Sequence, residues 1–290
     1  MLRYFRAHGL GNDYIVLDLQ DSRLRITPSV MTRICDRHEG IGGDGALVAR
    51  GSEVADFGVT IYNPDGSQAE KSGNGVRIFA RYLVEEGLLH QSATLETAGG
   101  IVRLSVHRTD RGLELEADMG RPSFIPSALP MRWEAERCVD QGLELANGEW
   151  VVGSAVSMGN PHFVMFTDEM EEERLLRQGP LLENHPRFPN RTNVQLARVL
   201  SPQHVEVRIW ERGAGPTRAS GSSACAVVAA GIVTGRLGRQ VEVLMPGGML
   251  RVRQDEGGHV HQRGPVGVIS RGTVAPELEA AWIALGEEEK

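Results

Sequence analysis

Two Ser-Gly pairs are the places where this chain could do chemistry. Ser220-Gly221-Ser222 follows Glu211-Arg212 and a glycine-rich turn, and Ser72-Gly73-Asn74-Gly75 follows the turn Asn63-Pro64-Asp65-Gly66. After Ser220 the chain carries no charge as far as Gly235. After Ser72, Val76, Phe79, Ala80 and Leu83 recur at the spacing of one helix face. Each pair therefore reads as the start of a helix. The first N–H groups of a helix have no intrahelical partner, and the dipole adds partial positive charge there. Both tips suit an anion, such as the carboxylate of a small molecule.

The elements that must carry these tips are similar. HVEVRIW (His204 to Trp210) alternates apolar and polar, and FGVTIY (Phe57 to Tyr62) is also strand-like. Strand, polar turn, Ser-Gly and small-residue helix thus occur twice, which reads as an internal duplication. Gly87 stands where a helix C-cap belongs. The helix after Ser220 has Ala, Cys and Val on every face, so it is expected to be buried all round.

A chain of 290 residues suggests two domains, and 41% hydrophobic content is enough for real cores. Aromatic residues are few and the 35 glycines suggest many tight turns between short strands. The net charge is −7 and no Lys/Arg block stands out, which argues against nucleic acid or an anionic membrane as partner. Cys35, Cys138 and Cys225 are scattered, with no CxxC pair, so neither a disulfide framework nor a cysteine zinc site is expected. The first residues do not read as a signal peptide and no apolar run is long enough to span a membrane, so a cytoplasmic protein is expected.

Along the chain, Gly9 to Asp13 is a polar turn in which Asn12 could present its amide to a ligand. Ser29 to Arg37 reads as a short helix. Gly40 to Gly45 resembles GxGxxG only loosely and lacks the strand–glycine–helix order, so no dinucleotide site is expected. Thr94 to Asp118 alternates with glycine breaks, as antiparallel hairpins do. Pro122, Pro126 and Pro130 mark the crossing between halves. Trp150 to Val156 is strand-like and leads into the turn Met158-Gly159-Asn160-Pro161-His162. Glu169 to Arg177 reads as a charged, solvent-facing helix, and Pro276 to Lys290 as a surface helix.

GLGNDY, GIGGDG, YNPDGSQAEKSGNG, MGNPHF, RTNV, WERGAGPT, ASGSSACA and PGGMLRV stand in one order between Ala7 and about Gly267. In this the chain resembles the diaminopimelate epimerase family. The resemblance implies an α/β fold of two similar lobes related by pseudo-two-fold symmetry, each a mostly antiparallel curled sheet around a central helix, with the active site in the cleft between them. The expected lobes are 1–118 with 268–290, and 119–267. It also implies inversion of an amino-acid α-carbon without a cofactor, by one base on each face of the substrate. A small amino acid is then the partner, and a homodimer is the expected assembly.

In that family the two bases are cysteines, and motif for motif they fall on Ser72 and Ser220. A thiol has a pKa of about 8.5 and an unactivated alcohol is closer to water, about 15.7. That gap is roughly 10 kcal/mol at 1.36 kcal/mol per unit, and a helix dipole contributes at most about 2 kcal/mol. Each serine therefore needs a partner base, for which the resemblance implies His162 and Glu211. It further implies that Asn12, Asn63, Gly73, Asn74, Asn160, Asn193, Glu211, Arg212, Gly221 and Ser222 hold the polar ends of the substrate. Gly45 stands where the family often has Gln, and Lys71 where an apolar residue is usual. Cys225 is more than a helical turn beyond Ser220 and reads as core. The competing readings are a dehydratase or racemase of another amino acid on the same scaffold, and a binding protein without turnover.

Overall fold

The computed structural model describes residues 1–19, 22–110 and 112–289. The chain divides into two compact units, Met1–Ala117 with Pro265–Lys290, and Asp118–Gly264.

In the first unit the chain runs β1 (Arg3–Gly9), β2 (Asn12–Asp18), α1 (Pro28–Cys35), β3 (Ala46–Arg50), β4 (Phe57–Tyr62), β5 (Gln68–Ala69), α2 (Gly73–Glu85), β6 (Ser92–Thr97), β7 (Gly100–Thr109) and β8 (Gly112–Asp118). The second unit holds β9 (Gln141–Glu144), β10 (Trp150–Ser157), β11 (Pro161–Phe166), α3 (Glu172–Glu183), β12 (Asn193–Ser201), β13 (His204–Glu211), β14 (Gly215–Thr217), α4 (Gly221–Val233), β15 (Gln240–Met245), β16 (Gly248–Gln254) and β17 (Val260–Pro265). The chain then returns to the first unit with β18 (Gly267–Thr273) and α5 (Pro276–Glu288).

The pairings of the two units match step for step. β1 and β2 are antiparallel, as are β10 and β11. β2 pairs parallel with β3, and β11 with β12. β3–β4 and β12–β13 are antiparallel, β4–β5 and β13–β14 are antiparallel, and β4–β6 and β13–β15 are parallel. β6–β7 and β15–β16 complete the series as antiparallel pairs. The sheets are mostly antiparallel. Each parallel step carries a helix, because parallel strands need a crossover and its apolar stripe must be covered.

The central helices follow from their composition. α2 buries Val76, Ile78, Phe79, Ala80 and Leu83 and packs against β1, β2 and β7. Its chain direction reverses at Gly87, whose φ of +73° suits a residue without a Cβ. α4 is buried without a break from Gly221 to Gly231 and touches β10, β11, β12, β13 and β16. Only side chains as small as Ala, Ser, Cys and Val let strands approach a helix from so many sides.

Four local expectations are refined. The first helix starts at Pro28, where Thr27 Oγ1 accepts the Val30 N–H at 3.3 Å, and ends at Cys35. The proline-rich stretch 120–130 belongs to the second unit, with a 3-10 turn at Pro126–Ala128. α3 starts later than Glu169 and runs through Pro180 to Glu183, burying Leu175, Gln178, Gly179, Leu182 and Glu183. The helix persists because Gly179 packs on the Trp210 ring: a Cβ there would lie 2.6 Å from it. α5 is docked as well as surface-lying. Trp282 is buried, and Glu279 Oε2 accepts the Leu2 N–H at 2.9 Å. Lys290 lies outside the described residues. Among the described residues no helix is long and apolar enough to cross a membrane.

Candidate active site

At the α2 tip, Ser72 is the N-cap residue. Its backbone is extended, and its Oγ accepts the Gly75 N–H at 3.0 Å while donating to Tyr14 Oη at 3.2 Å. The side chain is half-buried, and Tyr14 beside it is buried. The Tyr14 ring lies against Gly45: a Cβ at 45 would sit 2.7 Å from the ring and 2.5 Å from the Tyr62 carbonyl oxygen. Glycine at 45 therefore makes room for this tyrosine.

Asn12 and Asn74, both expected to hold substrate, are joined. Asn74 Nδ2 donates to Asn12 Oδ1 at 3.0 Å, and Asn12 Nδ2 donates to Asp44 Oδ2 at 3.0 Å. Arg77, completely buried on α2, donates to Asn74 Oδ1 and to the Pro265 carbonyl. Arg37 bridges Asp44 and Asp13, and Arg6 also binds Asp13. Asp13 is buried, which alone would raise its pKa. The hydrogen bonds and charges of Arg37 and Arg6 outweigh that and hold it below the usual carboxylate range. Asn12 and Asn74 are thus oriented by a chain of charged groups spread over β1, β2, the loop after α1, and α2. Asn63 Nδ2 donates to Ser67 Oγ at 2.9 Å within its own turn.

At the α4 tip, Ser220 also occupies the N-cap position, but its side chain makes no cap bond. It is buried, and its Oγ lies 3.4 Å from Ser222 Oγ. Gly221 opens the helix against Gln262, whose Oε1 would be 2.1 Å from a Cβ at 221. A side chain there would have to displace the amide end of the buried Gln262 side chain.

His162 sits on β11 with no exposure. Its Nε2 lies 2.9 Å from Asn160 Oδ1 and its Nδ1 lies 3.0 Å from Gln195 Nε2. An amide nitrogen only donates, so Nδ1 is the acceptor and the ring proton is on Nε2, donated to Asn160. Gln195 Nε2 also donates to Ser223 Oγ at 3.0 Å, on the first turn of α4. Burial, and secondarily the charge of Arg212, push the imidazole pKa down to about 3. His162 is therefore neutral, weakly basic and bonded at both nitrogens, to Asn160 and Gln195 and to neither serine.

The remaining expected residues define the turn between β13 and β14. Asn193 Nδ2 donates to the Pro161 carbonyl at 2.8 Å, and its Oδ1 accepts the Arg212 N–H at 2.9 Å. Glu211 ends β13, paired with Gly215. The buried Glu183 of α3 secures this turn, accepting from Trp210 Nε1 at 2.7 Å and from the Gly213 N–H at 2.8 Å. The sequence reading brings Asn12 with Asn74, Asn160 with His162, Asn193 with Arg212, and Ser220 with Ser222. It misses Tyr14, Asp44, Arg77, Glu183, Gln195 and Ser223. Tyr14 closes the GLGNDY motif two residues after Asn12, the one signal that could have found it. Asp44 and Ser223 also lie inside quoted motifs, GIGGDG and ASGSSACA, whereas Glu183 and Gln195 are ordinary residues whose partners are distant in sequence. The three cysteines are buried, and burial pushes the Cys35 thiol up to about 12 and the Cys138 thiol up as well. Neither is suited to act as a thiolate at neutral pH.

The geometry can be set beside known proteins. A diaminopimelate epimerase from Carboxydothermus hydrogenoformans is 41% identical over 275 residues, covering 93% of this chain and 98% of that protein. One from Desulforudis audaxviator is 40% identical, over 91% of this chain and 96% of that protein. Among solved structures, a hydroxyproline epimerase from Agrobacterium vitis superposes with a TM-score of 0.71 at 14% identity, covering 99% of this chain and 98% of that one. A probable proline racemase from Agrobacterium radiobacter gives the same TM-score and identity, covering 99% of this chain and all of that one. These last two carry the fold alone. The family model described as diaminopimelate epimerase matches residues 4–125 and 154–269. With that match over most of its length, the chain belongs to the diaminopimelate epimerase family.

Proposed function

We propose that the protein is an isomerase that inverts an amino-acid α-carbon, interconverting LL- and meso-diaminopimelate without a cofactor. The observation that carries this reading is identity of about 40% with epimerases of that name over nine-tenths of the chain. The repeated Ser-Gly helix starts support it, each capable of holding a carboxylate. Ser72 and Ser220 stand at the two acid–base positions. Asn12, Asn74, Asn160, Asn193, Arg212 and the tips at Gly73, Gly221 and Ser222 provide donors and acceptors for a zwitterion. Asn63 and Glu211 belong to the same binding set.

We read His162 as a residue that fixes the Asn160 amide: its Nε2 donates to Asn160 Oδ1 and its Nδ1 accepts from Gln195. We place the enzyme in the cytoplasm, as a homodimer.

The test is α-proton exchange. LL-diaminopimelate is incubated with the protein in D₂O, and loss of the Cα–H signal is followed by NMR together with chromatography of the stereoisomers. Exchange with formation of the meso isomer is the expected result. A keto acid formed in a parallel incubation with a hydroxylated amino acid, by loss of the α-proton and the hydroxyl as water, would establish the dehydratase. Ligand-dependent thermal stabilisation with no exchange, persisting in a Ser72→Cys/Ser220→Cys variant, would establish a binding protein and end the reading.

A further inference from the structure

The Ser72 hydroxyl has a neighbour that can change what it does. Ser72 Oγ directs its proton to Tyr14 Oη at 3.2 Å and one lone pair to the Gly75 N–H at 3.0 Å. An alcohol oxygen has two lone pairs, so one is left for an incoming proton. The phenol is held in place by burial and by the space Gly45 leaves for its ring. Among the described residues the Ser220 hydroxyl pairs with Ser222 Oγ at 3.4 Å, a second alcohol.

We propose that Tyr14 is the proton acceptor behind Ser72, acting through it as a positioning residue in the epimerisation proposed above, on which this inference rests. In the reactive form Tyr14 is a phenolate. Ser72 Oγ takes the α-proton as its own hydroxyl proton passes to Tyr14 Oη. One Cα–H bond breaks and its electron pair stays on the α-carbon. One O–H bond forms at Ser72 as another is lost, and one forms at Tyr14. The negative charge moves from the phenolate to the substrate, and Ser72 ends as the neutral alcohol it began as. The reverse transfer returns the proton. A phenol is by nature several units more acidic than an alcohol, so its anion is a far more accessible base than an alkoxide.

Several charged and titratable groups lie on the elements and segments next to Tyr14 and Ser72. Arg6 on β1, Asp13 on β2, and Arg37 and Asp44 after α1 are paired with one another, with the Asp13 carboxyl held low. His8 on β1 pairs in register with Asp13. Glu70 and Lys71 precede Ser72. An ordinary lysine loses its charge near 10.4, the same range as a phenol. Tyr62 on β4 is a second phenol, raised by burial, and its hydroxyl accepts from Gln68.

The experiment is the α-proton exchange of LL-diaminopimelate in D₂O between pD 7 and 11. It compares the protein, Tyr14→Phe, Lys71→Gln and Tyr62→Phe, and Ser72→Cys/Ser220→Cys with and without Tyr14→Phe. The expected result is exchange that rises toward pD 10. Tyr14→Phe lowers it by about a hundredfold or more, the usual worth of a positioned acid or base, and removes the rising limb. Lys71→Gln and Tyr62→Phe keep the limb. In the cysteine background Tyr14→Phe changes the rate less than about tenfold, which also serves as the folding control. An equal loss in both backgrounds, or a limb that survives Tyr14→Phe, overturns the relay. Exchange by the cysteine variant with none by the serine protein at any pD overturns the relay and leaves the epimerase reading standing. Exchange by neither removes both.

Discussion

The tips of α2 and α4 start from the same motif and end in different states. Ser72 caps its own helix and hydrogen-bonds a buried phenol. Ser220 leaves its helix uncapped and faces another serine. The polar groups beneath them differ too. Charged side chains orient Asn12 and Asn74 in the first unit, whereas the second uses the neutral set Asn160, His162, Gln195 and Ser223. A duplicated scaffold fixes where a helix begins and leaves its first side chain free to take on capping, proton transfer or neither. Two similar halves can in this way carry unlike groups at matching positions.

The largest expected effect erases the difference. Ser72→Cys/Ser220→Cys places a thiol on each tip and is expected to raise epimerisation on the order of a thousandfold or more, since a thiol is several pKa units more acidic than an alcohol. The measurement is conversion of LL- to meso-diaminopimelate, and an unchanged rate would mean that residues 72 and 220 are not the reacting bases.

The next effect belongs to the second unit alone. His162 is lowered in the folded state from 6.5 to about 3, so the unfolded chain binds the extra proton between those values. Its contribution is complete above about pH 6.5 and is lost as pH falls toward 3, amounting to several kcal/mol in order of magnitude. Thermal unfolding of His162→Gln should show a flatter decline between pH 6.5 and 4 than the parent. An identical slope would mean the histidine is not buried neutral.

Gly221→Ala is expected to cost about 1–3 kcal/mol, as overpacking does, because Gln262 Oε1 sits where the methyl must go. Gly75→Ala in the first unit meets its nearest neighbours at 3.1 Å and should cost less. Denaturant midpoints of the two variants give the order, and equal losses would contradict the closer approach at α4. The smallest effect separates the caps. Ser72→Ala should cost about 1 kcal/mol, the usual value for a lost N-cap, and Ser220→Ala only a few tenths. Urea titration of both decides it, with equal values the unfavourable outcome.

Much of this was legible beforehand. β4 lies at Phe57–Tyr62 as the alternation indicates, and both central helices begin immediately after the serines of the Ser-Gly pairs. Helix starts are readable because capping and small-residue packing act over a few neighbouring positions. α3 was harder. Gly179-Pro180 is a local stop signal, and the helix runs through it only because Trp210, some 30 residues on, fills the space beside Gly179. His162 was harder still, since its basicity depends on burial and on Gln195 from another strand.

By itself the sequence determined the repeated order of strand, turn and helix, the two serine-led tips, and the membership of the family, all of them properties of short stretches and their succession. The tertiary structure alone decided which groups stand next to those serines. Tyr14 reaches Ser72 because β2 runs beside the start of α2, and Gln195 claims His162 because β12 pairs parallel to β11. Proton affinity depends on neighbours a few ångströms away and on exclusion of water, and a chain brings such neighbours together only by folding.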